Sequence, residues 1–513
     1  MKYSYGTAGF RTEASLLDAA IIGSTATAAL RSLELKGKTT GVIITASHNP
    51  VSDNGVKVID ADGGMLSVNW EEKCTNLANA ESKSELELLI KEYIAPSTFQ
   101  ASVVIGMDTR PSSPRLSELA KVILDEMSAC YKDYGFITTP QLHWIVKLIN
   151  ENSSYSIPSN PPPLVLYYDS LCNAYCNVFS ASTILHRPIL TVDCANGVGS
   201  LPLEELSKRL KDYIDIRLIN NDSCNYKYLN NGCGADHVKT TQSPPVNLVD
   251  KMIPNQLYAS VDGDADRIVF YFTDKEKKFH LLDGDRISIL LVSFLKILVQ
   301  KSRLPLSIGV IQTAYANGSS TVYLNDLGVQ IICTKTGVKH LHHEAQAFDI
   351  GVYFEANGHG TVLFSQDCVK KLWNPPTGIS DTETNAIVVL LQLSQLINQA
   401  IGDALSDMLA VLSVLGSLYC DAKGWLSMYN DLPNKLVKVK VADRSIFITT
   451  DAERRLIKPV GLQEKIDDLV SKYEKGRCFV RASGTEDAVR VYAEASTKKG
   501  AEELSAKVCS LLK

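Results

Sequence analysis

The sequence has little that would direct it to a nucleic acid or a membrane. The 513 residues carry a formal net charge of −5 and a pI of about 6.0, without a polybasic block, so no nucleic acid or anionic membrane is expected as a partner. The first residues lack the apolar core of a signal peptide. The longest apolar helix candidate, 287–299, is short for a membrane span and carries Lys296, which favours a buried core helix.

Signatures of zinc and dinucleotide binding are also missing. The 12 cysteines are scattered, and no second pair at metal spacing follows Cys172 and Cys176. Pro202 stands where the glycine-rich turn at 197–199 would need its third glycine, so a simple strand-to-helix turn is expected there. Without a secretory signal, the cysteines are expected to be reduced thiols of a cytoplasmic protein.

Short β-branched runs that alternate with helical stretches fill most of the chain, which predicts an α/β fold. The length predicts about three or four domains. We expect three related α/β domains at 1–160, 161–278 and 279–400, and a helical lead-in with a smaller α+β domain at 401–513. The polar segments 150–154 and 159–163 are interpreted as a loop or linker. Strands are predicted at 41–45, 102–107, 257–261, 307–313, 330–334, 351–355, 436–441, 445–449, 478–482 and 489–495.

The segment TASHNP at 45–50 follows an apolar strand and places a hydroxyl at the strand end. Pro50 ends the strand, because it has no backbone N–H and disfavours helix at Asn49. A capped turn and a nucleophile are both compatible with this segment alone.

The segment DGDADR at 262–267 follows another strand and carries three carboxylates at alternate positions. Such carboxylates can converge on one hard divalent cation, and their mutual repulsion disfavours a simple solvated turn. The EF-hand pattern fails, because Arg267 stands at its glycine position and Thr273 at its final glutamate position.

Two further loops carry polar side chains at strand ends. In RASGTED at 481–487, followed by Arg490, two hydroxyls and a glycine between guanidinium groups suit a phosphate, although a helix cap is the simpler alternative for either hydroxyl. In EANGHG at 355–360, the polar residues suit the hydroxyls of a sugar, although polar turns are common. The nearby segment KHLHHE at 339–344 lacks the spacing of a zinc-protease helix and is interpreted as a polar loop or helix start, in which Lys339 or His340 can face a ligand.

A serine, a cation site, a remote phosphate site and a sugar site together predict phosphoryl transfer through the serine. Because uncatalysed phosphate-monoester reactions are extremely slow, such a site must supply positioning and charge neutralisation.

These four loops resemble the active-site loops of the α-D-phosphohexomutases, and they occur in the same order along the chain. The segments GTAGFR at 6–11 and NGVK at 54–57 also fit that superfamily. The segments TGVKHLHH at 336–343, CGAD at 233–236 and IGDALSD at 401–407 resemble a eukaryotic branch that acts on N-acetylglucosamine (GlcNAc) phosphates. The resemblance covers nearly the whole chain.

The resemblance implies four domains around a central cleft and a phosphorylated Ser47. It implies one Mg²⁺ per chain, held by Ser47, Asp262, Asp264 and Asp266. GlcNAc 6-phosphate and GlcNAc 1-phosphate would interconvert through a 1,6-bisphosphate and feed UDP-GlcNAc biosynthesis, with glucose or GlcNAc 1,6-bisphosphate as activator. The expected partners are sugar phosphates, and we expect a monomer or weak homodimer.

The same resemblance implies roles for individual residues. Ser47 would be catalytic, and His48, Arg11 and Lys57 would assist at the transferred phosphate, with the general acid and base left open. Asn357 stands where glucose- and mannose-specific relatives commonly have serine, which suggests a reader of the acetamide group. Ala482 departs from a frequent proline. The expected substrate-binding residues are Arg267, Thr336, Gly337, Lys339, Glu355, Ala356, Asn357, Arg481, Ala482, Ser483, Gly484, Thr485 and Arg490.

Three alternatives remain open at the level of sequence. The substrate can be a glucose or mannose phosphate, the protein can be a phosphatase that loses its phosphate to water, or it can be an inactive sugar-phosphate sensor. The intact serine and three aspartates disfavour a sensor, which needs neither.

Overall fold

The computed structural model describes residues 2–94, 97–152, 162–181, 187–483 and 487–512. Within them the chain forms three mixed sheets of five, five and four strands, followed by a three-stranded and a two-stranded sheet. The predicted α/β fold class, with a smaller C-terminal α+β unit, is confirmed.

The first sheet has parallel strands on one side and antiparallel strands on the other. Its strands are β1 (Phe10–Glu13), β2 (Thr39–Ile44), β3 (Asp53–Ile59), β4 (Ser102–Met107) and β5 (Cys130–Phe136). Its helices are α1 (Asp18–Glu34), α2 (Val68–Ala78), α3 (Lys83–Tyr93), α4 (Ser113–Glu126) and α5 (Thr139–Glu151). The strand order is β1-β3-β2-β4-β5, in which β2, β4 and β5 run parallel and β3 runs antiparallel to β2.

The polar segment that we interpreted as a loop from position 150 begins instead inside helix α5. Asn150 donates its amide to the carbonyl oxygens of Thr39 and Ala61, at 2.7 Å each, and so binds strand β2 to the turn after β3. The amide therefore satisfies backbone groups of the sheet. Residues 153–161 of this segment lie outside the described residues.

The second sheet repeats this arrangement. Its strands are β6 (Ile189–Asp193), β7 (Asp215–Ile219), β8 (Tyr258–Val261), β9 (Ile268–Thr273) and β10 (Phe279–Leu282), and its helices are α6 (Pro163–Ala181), α7 (Ser200–Arg209) and α8 (Ala235–Thr241). Strands β7, β6 and β8 are parallel, and β9 returns antiparallel to β8. The glycine turn at 197–199 leads from β6 into α7, as predicted.

The third sheet has the same order and is surrounded by more helices. Its strands are β11 (Ile308–Thr313), β12 (Gln330–Thr334), β13 (Ile350–Phe354) and β14 (Gly360–Phe364). Its helices are α9 (Gly284–Ser302), α10 (Gly318–Asp326), α11 (Val338–Ala345), α12 (Gln366–Trp373), α13 (Asp381–Leu396), α14 (Ala404–Ser417) and α15 (Ala422–Leu426). Strands β12, β11 and β13 are parallel, and β14 returns antiparallel to β13.

Helices α9 and α14 lie at the centre of one continuous apolar core that joins the second and third sheets. Residues 404–415 of α14 are all buried, and each large apolar side chain among them contributes about 1.5–3 kcal/mol by leaving water. Helix α9 confirms the predicted buried core helix and extends it at both ends. Among the described residues, none of the helices combines the length and the apolarity that a membrane crossing requires.

The C-terminal unit is smaller. It contains β15 (Asn434–Lys440), β16 (Ile448–Thr450), β17 (Arg455–Lys458), β18 (Arg477–Ala482), β19 (Ala488–Glu494), α16 (Leu462–Val470) and α17 (Lys498–Ser510). The predicted strand at 445–449 is wrong in part, because Arg444–Ile446 forms a 3-10 turn in which the Asp443 side chain accepts the backbone N–H of Ser445. Strand β17 was not predicted.

The three large sheets share one topological position that matters for the site. In each, the parallel strand that borders the antiparallel part of the sheet turns through a short loop into its antiparallel neighbour: β2 to β3, β8 to β9 and β13 to β14. Along the chain, the first sheet places this hairpin before its other two parallel strands, whereas the second and third sheets place it after theirs. These three hairpin loops hold the segments 45–52, 262–267 and 355–359.

Candidate active site

The three hairpin loops meet, and two glycines permit their close approach. A Cβ on Gly263 would lie 2.6 Å from the Ser47 carbonyl oxygen. A Cβ on Gly358, whose φ is +87°, would lie 1.9 Å from the carbonyl oxygen of Ile268. The Ile268 N–H also donates to the Gly358 carbonyl at 3.2 Å. The serine, aspartate and glutamate loops therefore form one continuous surface.

Ser47 points its hydroxyl into the aspartate loop. Its φ of +51° is unusual for a residue with a side chain, and its backbone N–H donates to Thr45 Oγ1 at 3.0 Å. The fully buried Ser47 Oγ donates to Asp262 Oδ2 at 2.5 Å and lies 3.4 Å from His48 Nδ1. The hydroxyl is thus directed at a carboxylate of the acidic cluster, with the imidazole at the outer limit of hydrogen bonding.

Arg110 holds the serine loop in this shape, and sequence reasoning missed it. The guanidinium is fully buried and pairs with Asp108 at 3.0 Å. It donates, at distances of 2.5–3.0 Å, to the carbonyl oxygens of Ser47, Asn49 and Pro50 in the loop and of Asp53 at the start of β3. A buried charge must be paired and hydrogen bonded, and the Asp-x-Arg pattern after strand β4 was the available signal.

Asp262, Asp264 and Asp266 are buried, and one carboxylate oxygen from each lies within 4.8 Å of the others. Asp264 Oδ1 and Asp266 Oδ1 are buried without a hydrogen-bond partner among the described residues. Such orphaned oxygens are unfavourable unless a cation satisfies them. Burial and the two neighbouring carboxylates raise the pKa of Asp262 well above its usual value. The cluster therefore fits a hard divalent cation, and Ser47 Oγ, which contacts Asp262, is available as a further oxygen ligand.

Cations surround this cluster. Lys57 Nζ lies 3.3 Å from Asp266 Oδ2 and 3.8 Å from Asp264 Oδ2. Arg267 Nε lies 3.8 Å from Asp262 Oδ2 and 3.7 Å from Asp266 Oδ1. Arg11 Nε is buried without a hydrogen-bond partner among the described residues, and burial lowers the pKa of Arg11. These groups can neutralise an arriving phosphate.

Two histidines also lie at the site, in different surroundings. Burial and the nearby Arg267 and Arg11 lower the pKa of His48 to about 3, which leaves its imidazole neutral at pH 7. His359, which was noted within its motif but not selected, places Nδ1 3.4 Å from Asp266 Oδ1. Although burial alone would raise the pKa of Asp266, His359 and Lys57 lower it well below its usual value.

The glutamate loop borders a cavity of about 120 Å³. Within the loop, Asn357 Oδ1 accepts the His359 N–H at 2.9 Å, and Asn357 Nδ2 donates to Glu355 Oε2 at 3.4 Å. Ala356 is half-buried between Glu355 and Asn357. The residues of the predicted motifs that line the cavity include Arg11, Lys57, Asp266, Arg267, Gly337, Lys339, Glu355 and His359.

The predicted TGVK segment at 336–339, in the third unit, contacts both the first unit and the C-terminal unit. Lys339 Nζ pairs with Glu71 and donates to the Leu66 carbonyl at 2.6 Å, so its charge is partly committed. Thr336 donates both its N–H and its hydroxyl to Glu453 Oε2, at 2.9 and 2.6 Å. Glu453, which was not predicted, thereby ties the third unit to the C-terminal unit.

The predicted phosphate loop lies at the β18–β19 hairpin. Arg481, the last residue but one of β18, donates through Nε to Glu453 Oε1 at 2.8 Å and lies directly opposite Arg490 on β19. The Ser483 carbonyl accepts Arg444 Nη1 at 3.0 Å, and Ala482 is half-buried at the strand end. The predicted residues Gly484 and Thr485 lie outside the described residues.

Comparisons with known proteins agree along the chain. Residues 165–269 and 283–419 match family models described as domains II and III of phosphoacetylglucosamine mutase AMG1. Residues 13–85 and 436–511 match domain I and the C-terminal domain of phosphoglucomutase/phosphomannomutase.

Individual relatives are similar over their full length. The curated phosphoacetylglucosamine mutase 1 of Schizosaccharomyces pombe is 62% identical over 514 residues, covering 100% of this chain and 99% of that protein. The structure of the Aspergillus fumigatus N-acetylphosphoglucosamine mutase in complex with GlcNAc-6P and magnesium is 46% identical, with a TM-score of 0.94. The match covers 99% of this chain and 95% of the other. A substrate complex of an N-acetylglucosamine-phosphate mutase is 48% identical, with a TM-score of 0.95 and coverage of 100% and 96%.

Proposed function

Because the chain belongs to the phosphoacetylglucosamine mutases of the α-D-phosphohexomutase superfamily, we propose that it interconverts GlcNAc 6-phosphate and GlcNAc 1-phosphate. The observation that supports this most directly is the Ser47 hydroxyl, 2.5 Å from Asp262, in an acidic cluster that contains two buried carboxylate oxygens without hydrogen bonds among the described residues. A serine in this position suits a phosphate carrier. The product would feed UDP-GlcNAc biosynthesis.

One Mg²⁺ per chain would be held by Ser47, Asp262, Asp264 and Asp266. Support comes from the buried, partly unsatisfied oxygens of the aspartates and from the magnesium in the Aspergillus relative. When bound, Mg²⁺ supplies positive charge that offsets the charge of the transferred phosphoryl group.

In the proposed cycle, a free hydroxyl of the sugar phosphate attacks the phosphorus carried by Ser47. The new P–O bond forms at the sugar and the bond to Ser47 Oγ breaks, which gives a 1,6-bisphosphate. The bisphosphate turns in the cleft, and Ser47 Oγ then accepts the other phosphoryl group. Arg11, Lys57 and Arg267 are close enough to the aspartates to offset charge at the transferred group.

The phosphate that does not react must be held elsewhere, and either phosphate must fit. We assign this to Arg481, Ala482, Ser483, Gly484, Thr485 and Arg490. We assign the sugar to Glu355, Ala356 and Asn357, with Thr336, Gly337 and Lys339 on the facing side of the cleft. Glu453 and Arg444 would position the phosphate-binding loop through Arg481 and the Ser483 carbonyl.

Glucose or GlcNAc 1,6-bisphosphate would act as activator by phosphorylating Ser47, and a relative has been crystallised with glucose 1,6-bisphosphate. We retain the functional domains 1–160, 161–278, 279–400 and 401–513 and a monomer or weak homodimer as predictions. A cytoplasmic location suits the cysteines, because no disulfide joins any of them within the described residues.

A mutase assay with GlcNAc 6-phosphate, Mg²⁺ and trace bisphosphate tests the function. We expect turnover by the wild-type protein and none by Ser47→Ala. Ser52→Ala is a matched control, because Ser52 lies exposed in the same loop and should leave activity unchanged. Release of inorganic phosphate without isomerisation would contradict the proposal. Comparison of rates on GlcNAc, glucose and mannose phosphates tests the sugar preference.

A further inference from the structure

The three aspartates of the cluster differ in which groups hold their carboxylate oxygens. Both oxygens of Asp262 are used, because Oδ1 accepts two backbone N–H groups of its own loop, at 3.1 Å each, and Oδ2 accepts the Ser47 hydroxyl. Asp264 and Asp266 each have one oxygen in contact with a donor and one buried oxygen without a hydrogen bond among the described residues. For Asp266 the donor is Lys57, at 3.3 Å.

The donor to Asp264 comes from another unit of the chain. Thr139, the first residue of α5, donates its hydroxyl to Asp264 Oδ2 at 2.7 Å and its backbone N–H to the Asp264 carbonyl oxygen at 3.3 Å. Both side chains are fully buried. Lys57 Nζ lies 3.8 Å from the same Oδ2, which is beyond hydrogen-bond distance. The Thr139 hydroxyl therefore occupies Oδ2 and leaves Oδ1 as the oxygen that is open to a cation.

Thr139 is itself held rigidly at the start of its helix. The preceding Thr138 and the following Gln141 form a reciprocal capping box, with bonds of 3.3 and 3.2 Å. The carbonyl oxygen of Pro140 accepts the side-chain amide of Asn398 at 3.4 Å. A threonine side chain is also stiff about χ1. The hydroxyl is thus presented to Asp264 by a fixed helix end, as the support of a metal ligand requires.

The next residue of the aspartate loop is held from the other side. Ala265 has a φ of +57°, which is unfavourable for a residue with a side chain, and its carbonyl oxygen accepts the N–H of Ala404, the first residue of α14, at 3.1 Å. The starts of α5 and α14 therefore hold consecutive residues of the loop. Backbone N–H groups fix the loop on both sides, so the Thr139 hydroxyl has the separate task of orienting the Asp264 carboxylate.

We propose that Thr139 is a positioning residue of the cation site, whose hydroxyl holds Asp264 Oδ2 so that Oδ1 serves as the ligand of Mg²⁺. This rests on the proposed function, which includes the Mg²⁺ site. Carboxylates that bind a metal are usually hydrogen bonded by a neighbouring donor, and loss of that donor typically weakens metal affinity about 10- to 100-fold. Without the hydroxyl, the Asp264 carboxylate is free to turn away from the cation.

The test compares Thr139→Val with Thr27→Val. Thr139→Val removes the hydroxyl but keeps the branched shape and the backbone N–H. Thr27 is equally buried in the same unit and donates its hydroxyl to the Gly23 carbonyl inside α1, at 2.7 Å, so the control also loses one buried hydrogen bond. Calorimetric titration of the metal-free full chain with Mg²⁺ should give an affinity about 10- to 100-fold weaker for Thr139→Val and unchanged for Thr27→Val. Thr139→Ser should recover most of the loss.

Thermal unfolding separates this role from a general loss of stability. Without metal, it establishes that each variant is folded. Added Mg²⁺ should then raise the unfolding temperature of Thr27→Val more than that of Thr139→Val, because stabilisation by a ligand follows its affinity. Thr139→Ala removes the same hydroxyl without placing a methyl group beside the carboxylate, and so gives a second measurement of the same loss. Wild-type Mg²⁺ affinity in folded Thr139→Val or Thr139→Ala would overturn the role of Thr139.

Activity measurements distinguish this proposal from the mutase function. Thr139→Val should need a higher Mg²⁺ concentration for half-maximal turnover and should recover part of its kcat when Mg²⁺ is saturating. Absence of isomerisation by the wild type would overturn the mutase function, and the Mg²⁺ titrations would still decide the role of Thr139. A wild-type chain that does not bind Mg²⁺ would overturn the cation site and the role of Thr139 together.

Discussion

Replacement of Arg110 by methionine tests whether a buried guanidinium shapes the serine loop. The substitution removes the hydrogen bonds to three loop carbonyls and to the Asp53 carbonyl, and it leaves Asp108 buried without its ion-pair partner. Removal of one partner from a buried pair destabilises by about 3–5 kcal/mol. Asp108 would keep contacts from the Thr45 and Ser113 hydroxyls, at 2.8 Å each, which favours the lower end of that range.

The matched control is Arg115→Met, the same substitution in the same unit. Arg115 pairs with Asp18 at 2.7 Å, but both side chains are about half exposed, so the expected loss is within about 1 kcal/mol. Thermal unfolding of the two variants should therefore differ. At about 2–4 °C per kcal/mol for a domain of 150–250 residues, Arg110→Met should lower the unfolding temperature by about 6–20 °C.

Activity gives the second readout. Because the Ser47 carbonyl is one of the groups that Arg110 holds, the variant should lose kcat far more than it changes KM at temperatures where it stays folded. Circular dichroism establishes the folded range. Equal unfolding temperatures for Arg110→Met and Arg115→Met, or full kcat in the former, would refute the assigned role.

Three other substitutions test neighbouring parts of the account. Asp264→Asn keeps the acceptor for the Thr139 hydroxyl but removes a charge from the cation site, so magnesium affinity by calorimetry should fall about tenfold or more, and unchanged affinity would count against the site. Glu453→Gln weakens the bridge from Thr336 to Arg481 and should raise KM for the sugar phosphate several-fold; an unchanged KM would show that Glu453 does not position the phosphate-binding loop. Burial and the nearby Asp283 raise the pKa of Asp285 to about 7, so the folded state keeps a proton that the unfolded chain loses, and stability should fall as pH rises from about 4 to 7. Asp285→Asn should reduce that slope in denaturant titrations, and an identical slope would contradict it.

The sequence predicts those parts of the site in which one segment carries its own signal. Ser47 and the three aspartates each follow a buried apolar strand, and the polarity changes abruptly at the strand end. That change marks a loop at the carboxyl end of a strand, where sites in α/β proteins collect. The two glycines that let the loops touch, Gly263 and Gly358, also stood within recognised motifs.

Residues that act through distant partners carried no such signal. Arg110 and Glu453 are single charged residues, and their roles depend on carbonyls or side chains far along the chain. Edge strands were also difficult to predict: β5 has no continuous apolar run, and none of its residues is fully buried. The shared hairpin position of the three site loops becomes visible only once strand order is known, since the first sheet places its hairpin at the opposite end of the chain segment.

The central claim is that Ser47 carries the phosphoryl group, and peptide mass spectrometry after brief mixing with glucose 1,6-bisphosphate tests it most directly. The account predicts one phosphate on the peptide that contains Ser47, absent from Ser47→Ala, present in Ser52→Ala, and lost to the sugar when excess GlcNAc 6-phosphate is added. A wild-type protein that isomerises GlcNAc 6-phosphate while Ser47 stays unmodified, or that carries the phosphate on another residue, would contradict it.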